Sequence, residues 1–217
     1  MMTILHVICS PRGQSSESYR LSKKIIGFLL ERRPAAVLVN RVIGGGAIPH
    51  IDENYASALG ATQKSPAETS PDGSMSVSEQ LIQELENSDL VVIATPMHNF
   101  TAPSALKAWI DHVVRVRRTF NVTSDGKAAL LRCRPVYVAI SSGGRYSGAH
   151  APQPDFLTPY LKAVLSIIGL NDLTFFSVEG TALGPDLLAE ARAKTERALE
   201  EHFASFRRSS RSVEVCV

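Results

Sequence analysis

What most constrains this chain is the return, at intervals, of short apolar runs rich in β-formers with amphipathic stretches between them. The runs are Ile4 to Cys9, Ala36 to Val42, Leu90 to Thr95, Val136 to Ser141 and Leu173 to Val178, and each predicts a strand. Between them, Leu21, Ile25, Phe28 and Leu29 recur at helical spacing, and Leu188, Ala191, Leu199, Phe203 and Phe206 do so near the end. Strands that are nearly continuous apolar runs, alternating with helices, predict a parallel sheet covered on both faces. Right-handed crossovers reduce the topologies to a few doubly wound ones. A closed eight-stranded barrel would need more repeats than are present.

The expected fold class is therefore α/β: a five-stranded, doubly wound parallel sheet of flavodoxin-like order with helices on both faces. At 217 residues, with 44% hydrophobic and 20% charged residues, one domain over 1–217 is expected. The Ser, Thr, Pro and Gly-rich stretch from Ala56 to Ser78 reads as a mobile loop. Arg207, Arg208 and Arg211 read as a solvated basic tail from about residue 207. A net charge of +2 with mixed acids and bases gives no nucleic-acid footprint. The N-terminus lacks a basic n-region and no segment reaches the roughly 18 apolar residues that span a bilayer, so a cytoplasmic protein without membrane contact is expected. Cys9, Cys133 and Cys216 are odd in number and widely spaced; no metal cluster and three reduced thiols are expected.

Three polar loops fall at predicted strand ends. The first, Cys9 to Ser18, runs into a helix beginning near Ser16 or Ser18. Its hydroxyls and a helix N-terminus suit a monophosphate, or else a serine there only caps the helix. It carries neither nucleotide fingerprint, G-x-x-x-x-G-K-[ST] nor G-x-G-x-x-G, and Gly44-Gly45-Gly46 reads as a flexible turn. The second, Thr95 to Pro103, brackets Met97, His98, Asn99 and Phe100 between prolines, and presents N–H groups and an amide to a flat heterocycle or simply connects strand to helix. The third, Ser141-Ser142-Gly143-Gly144-Arg145-Tyr146, allows close backbone approach by a ring, or is only a turn. Around one crevice at the carboxyl ends of the strands, the three fit a ligand with a phosphate at one end and a planar ring at the other.

At these residues the sequence resembles the FMN-dependent NADH-azoreductases among the flavodoxin-like quinone reductases. The resemblance runs from Ile4 to about Leu199 and also uses Leu106-Lys107, Thr119-Phe120, Leu157 to Leu161 and Val178-Glu179-Gly180. It implies FMN as cofactor, its phosphate at Ser10, Ser16, Glu17 and Ser18, and its ring at Met97, His98, Asn99, Phe100, Ser141, Ser142, Gly143 and Gly144. It further implies NADH or NADPH as donor, quinones and aromatic azo compounds as acceptors, two-electron ping-pong transfer, and a homodimer. The family has Tyr at the position of His98 and a small residue, typically Gly, at that of Arg117; positive charge at either position would favour anionic acceptors.

The redox chemistry would reside in the flavin, with no side-chain nucleophile. Tyr146 is a candidate hydrogen-bond donor to the acceptor, or else packs or faces solvent; Phe120 and Phe100 are candidate apolar walls, with the core or a dimer interface the alternative for Phe120. A Cys-dependent phosphatase is disfavoured because the residue six after Cys9 is Ser15 and not Arg. An FMN reductase and a non-enzymatic flavodoxin-type electron carrier are the other readings; such a carrier presents an acidic docking face, against the +2 net charge here.

Overall fold

A computed structural model describes residues 1–60, 73–148 and 151–208. In chain order the strands are β1 (Thr3–Ile8), β2 (Val37–Val42), β3 (Leu90–Pro96), β4 (Phe120–Thr123), β5 (Gly126–Ala129), β6 (Val136–Ser142) and β7 (Leu173–Glu179). The helices are α1 (Glu17–Arg32), α2 (Glu53–Gly60), α3 (Ser74–Glu86), α4 (Ser104–Val113), α5 (Leu157–Ser166) and α6 (Pro185–Arg208). Five strands form one parallel sheet in the order β2-β1-β3-β6-β7, the flavodoxin-like order expected, and each lies within one residue of its sequence-predicted ends.

Alternation along each strand divides the core in two. Ile4, Leu90, Val92, Tyr137, Ala139 and Phe176 pack under Leu21, Ile25, Leu29, Leu199 and Phe203 of α1 and α6. Leu5, Val7, Val91, Ile93, Val138 and Ile140 point the other way, under Leu81 and Leu85 of α3, Leu106 and Trp109 of α4, and Leu157, Leu161 and Leu165 of α5. Burial of both faces is why the central strands read as unbroken apolar runs. His6 interrupts β1: it is fully buried, its ring nitrogens 2.8 Å from Ser22 Oγ and 3.0 Å from Asn40 Oδ1. Burial pushes its pKa down to about 4.

Several expectations need correction. The loop expected over 56–78 is helical at both ends, since 56–60 belong to α2 and 74–78 to α3; residues 61–72 lie outside the described residues. Asp52 joins the two helix starts, accepting from Tyr55 N at 2.8 Å and from Ser74 N at 3.3 Å. The expected basic tail overlaps α6, whose backbone continues through Arg207 and Arg208; Arg211 is outside the described residues. Cys9 is free and buried, and Cys216 lies outside the described residues. An antiparallel hairpin, β4–β5, stands outside the main sheet. No described helix is long and apolar enough to cross a membrane.

Candidate cofactor site

A cleft of about 320 Å³ opens beyond the carboxyl ends of β1, β3 and β6, where the strand order reverses and neighbouring loops diverge. Ser10, Arg12, Ser15, Ser16 and Glu17 line one end, Pro96, Met97 and His98 the middle, and Ser141, Gly143, Thr181 and Leu188 the remaining wall.

At the first end, Ser16 caps α1: its extended backbone precedes the helix and its Oγ accepts from Tyr19 N at 3.2 Å while donating to Gly13 O at 2.9 Å. The amides of Glu17 and Ser18, in the first turn, have no intrahelical acceptor. Ser10, 3% exposed, accepts from Arg12 N at 3.2 Å, and the Ser18 hydroxyl lies 3.4 Å from that of Ser16. The Glu17 carboxylate is taken by Arg192 of α6, whose Nε is 2.9 Å away and whose Nη2 makes a second contact. That pairing holds Glu17 below the usual carboxylate range and answers its charge at the start of α1. Gly44 is more than a flexible turn: a Cβ there would sit 2.3 Å from the Ser10 carbonyl oxygen. Its lack of a side chain lets the 44–46 turn support the loop.

The second loop leaves β3 with Met97 N donating to Ser141 O at 2.8 Å. His98 and Thr101 then exchange backbone bonds of 3.0 and 2.9 Å around Asn99 and Phe100, whose φ angles are +49° and +68°. Two successive left-handed residues without glycine cost of order 1 kcal/mol each. The two cross-turn bonds engage neither the Asn99 nor the Phe100 amide. The side chains of His98, Asn99 and Phe100 are exposed.

In the third loop Gln153 Nε2 reaches Ser142 Oγ at 2.9 Å and Met97 Sδ at 3.5 Å, clasping the two ring-side loops together. A Cβ on Gly144 would meet Gln153 Oε1 at 2.4 Å. The carbonyls of Ser142, Gly143 and Gly144 accept from Thr181, Ala182 and Gly180 at 3.0 to 3.2 Å, fixing the loop to the segment after β7. Glu179 accepts from the amides of Tyr146 and Ser147 and from Ser177 Oγ, at 2.8, 3.1 and 3.0 Å. Burial raises its pKa, but these donors outweigh burial and hold it low.

Of the residues expected at the cofactor, Ser18, Asn99, Phe100, Ser142 and Gly144 do not line the cleft, and the candidates for the acceptor pocket lie elsewhere. Tyr146 is half-buried against the core, and burial pushes its pKa up. Phe120 is 8% exposed at the start of β4, with Lys127 Nζ 5.4 Å from its ring. Arg117 adopts φ +63° and donates to Leu59 O of α2 at 2.8 Å. It is absent from the residues lining the cleft. Arg12, Gly44, Gln153 and Thr181 are the residues that reading the sequence missed, and the glycine run beside the first loop was the only signal among them.

A family model described as flavodoxin-like fold matches residues 2–203. The chain is 44% identical over 199 residues to the FMN-dependent NADH:quinone oxidoreductase 4 of Pseudomonas fluorescens, covering 92% of this chain and 94% of that one. With the FMN-dependent NADH:quinone oxidoreductase 5 of Burkholderia lata it shares 47% over 182 residues, 84% and 87% of the two chains. This chain belongs to the FMN-dependent NADH:quinone oxidoreductase family. A solved FMN-dependent NADH-azoreductase of Bacillus anthracis, in complex with FMN, is similar to it at 25% identity with a TM-score of 0.76, covering 93% and 99% of the two chains. The residues lining the cleft fit such a cofactor in chemistry: serine hydroxyls, Arg12 and the start of α1 suit an anion, and Met97 with Gly143 offers an apolar surface open to close approach.

Proposed function

We propose that this chain is an FMN-dependent NADH:quinone oxidoreductase that also reduces aromatic azo compounds. The observation that carries the reading is a single cleft lined by the start of α1 at Ser16 and Glu17, by Met97 and His98 of the second loop and by Ser141 and Gly143 of the third. Flavin, when bound, supplies two-electron redox chemistry. Ser10, Ser16 and the amides of Glu17 and Ser18 hold its phosphate, with Arg192 cancelling the Glu17 charge. Amides at Asn99, Phe100, Gly143 and Gly144 would donate to the polar edge of the ring, and such fixed dipoles would stabilise negative charge there without reorganising. Met97, clasped to Ser142 through Gln153, would pack on the ring and keep water from it. Donor and acceptor use the same open face in turn, which makes the kinetics ping-pong.

We further propose a homodimer in the cytosol. Phe156 is 58% exposed and Phe100 44%, and the Phe156 amide donates to the Phe100 carbonyl, so an apolar pair lies beside the cleft for a second copy to cover.

The purified protein is expected to show the visible spectrum of retained flavin and to oxidise NADH when given benzoquinone or an azo dye, with parallel double-reciprocal plots. Flavin that leaves on desalting and is then turned over by NADH would instead indicate an FMN reductase. A protein that binds no added FMN would end the reading.

A further inference from the structure

A second cleft, of about 220 Å³, adjoins the cofactor cleft and shares Pro11 and His98 with it. Its other walls come from the turn after β2, including Gly45, Gly46 and His50, and from the start of α4, including Pro103 and Ser104. Among the described residues no aspartate or glutamate lines it, and two imidazoles do. In the cofactor cleft beyond, the one carboxylate, Glu17, is paired with Arg192, and Arg12 is a further cation. The combined walls therefore carry hydrogen-bond donors and positive charge with no unanswered negative charge. An imidazole donates a hydrogen bond in either protonation state.

Size decides what fits. A cleft well below the 300 to 1,000 Å³ usual for a whole ligand holds one substituted ring or one charged group, while the rest of the molecule remains over the neighbouring site. We propose that this cleft is an acceptor subsite, in which His50 and His98 bind the sulfonate or carboxylate of an anionic aromatic acceptor whose reducible portion lies in the cofactor cleft. The inference rests on the quinone and azo reductase reading. His98 stands at the junction of the two clefts, and His50 sits on the far wall, outside the cofactor cleft, where its exposed side chain can be changed without disturbing the fold.

The test is a charge series at His50, with Gln, Glu and Arg, in FMN-loaded protein at fixed NADH. Turnover is compared for neutral benzoquinone and for a naphthoquinone sulfonate. His50→Glu is expected to raise KM for the sulfonate about five- to tenfold, His50→Gln less, and His50→Arg to lower it or leave it unchanged. Benzoquinone kinetics should stay constant across the series, as should the rate of flavin reduction by NADH followed alone by stopped flow. A sulfonate KM independent of the charge at residue 50, or equal changes for both quinones, would overturn the proposal. Failure of the wild-type protein to reduce benzoquinone would instead overturn the functional reading on which it rests.

Discussion

Gly44 and Arg117 differ in how each meets its backbone. At Gly44 the constraint is contact: a Cβ 2.3 Å from the Ser10 oxygen and 2.7 Å from its carbon cannot be relieved by a rotamer change, because both atoms are main chain. Gly44→Ala is expected to destabilise the protein by about 1 to 3 kcal/mol and to loosen FMN as the first loop shifts. Thermal melts with and without FMN, and a fluorescence titration, would show both; unchanged affinity would mean that the loop gives way without affecting its donors. At Arg117 the constraint is conformational, since φ +63° places a long side chain where glycine rests without strain, in line with the small residue expected there. Arg117→Gly should be at least as stable as the natural protein, and Arg117→Ala less stable, because alanine keeps the strain and loses the bond to Leu59 O. Differential scanning fluorimetry of the pair would decide this.

Among the elements, α1 and α6 meet at the phosphate end through Glu17 and Arg192. Removing the arginine leaves a carboxylate facing a phosphate. Arg192→Ala should weaken FMN binding about fivefold, roughly 1 kcal/mol, more at low salt than at high, and adding Glu17→Gln should restore most of it. A double-mutant cycle read by FMN titration tests this, and two additive losses would contradict it. Strand and helix order was legible because each central strand is buried on both sides, but smaller elements were not. The β4–β5 hairpin has four residues per strand and one buried side chain, Phe120, so no apolar period marks it; Asp125-Gly126 was its readable turn signal. Helix α2 buries only Tyr55, and its start was signalled by Asp52 alone. The phosphate loop was visible in the serines ahead of α1. The clasp by Gln153 was not, since nothing local ties it to Met97, 56 residues away.

For the whole molecule, acid stability follows from two buried or paired groups with defined signs. Glu79 accepts from Arg118 and Arg115 and so joins α3 to the turn after α4; its pKa falls from 4.5 to about 2. The unfolded chain takes up this proton first as pH falls, so the stabilisation is complete above 4.5 and is lost on the way down to about 2. The exposure of Glu79 and solvent screening keep the size of this effect modest. His6 acts earlier: its pKa is depressed from 6.5 to about 4, so the unfolded chain is protonated first and stability declines from pH 6.5 to 4. Melting temperatures across pH 7 to 2 should fall in both windows. His6→Gln should flatten the upper one and Glu79→Gln the lower, and a curve unaltered by either change would refute the assignment.

The contact between Glu17 and Arg192 also has a consequence in time. The two residues are separated by 175 positions, so at ribosomal rates of about 5 to 20 residues per second the arginine emerges roughly 10 to 35 s after the glutamate. During that interval the nascent phosphate loop carries a bare carboxylate and repels the anion it will later hold. On the fivefold effect expected of Arg192→Ala, a chain released before α6 would hold the cofactor more weakly than the finished protein does.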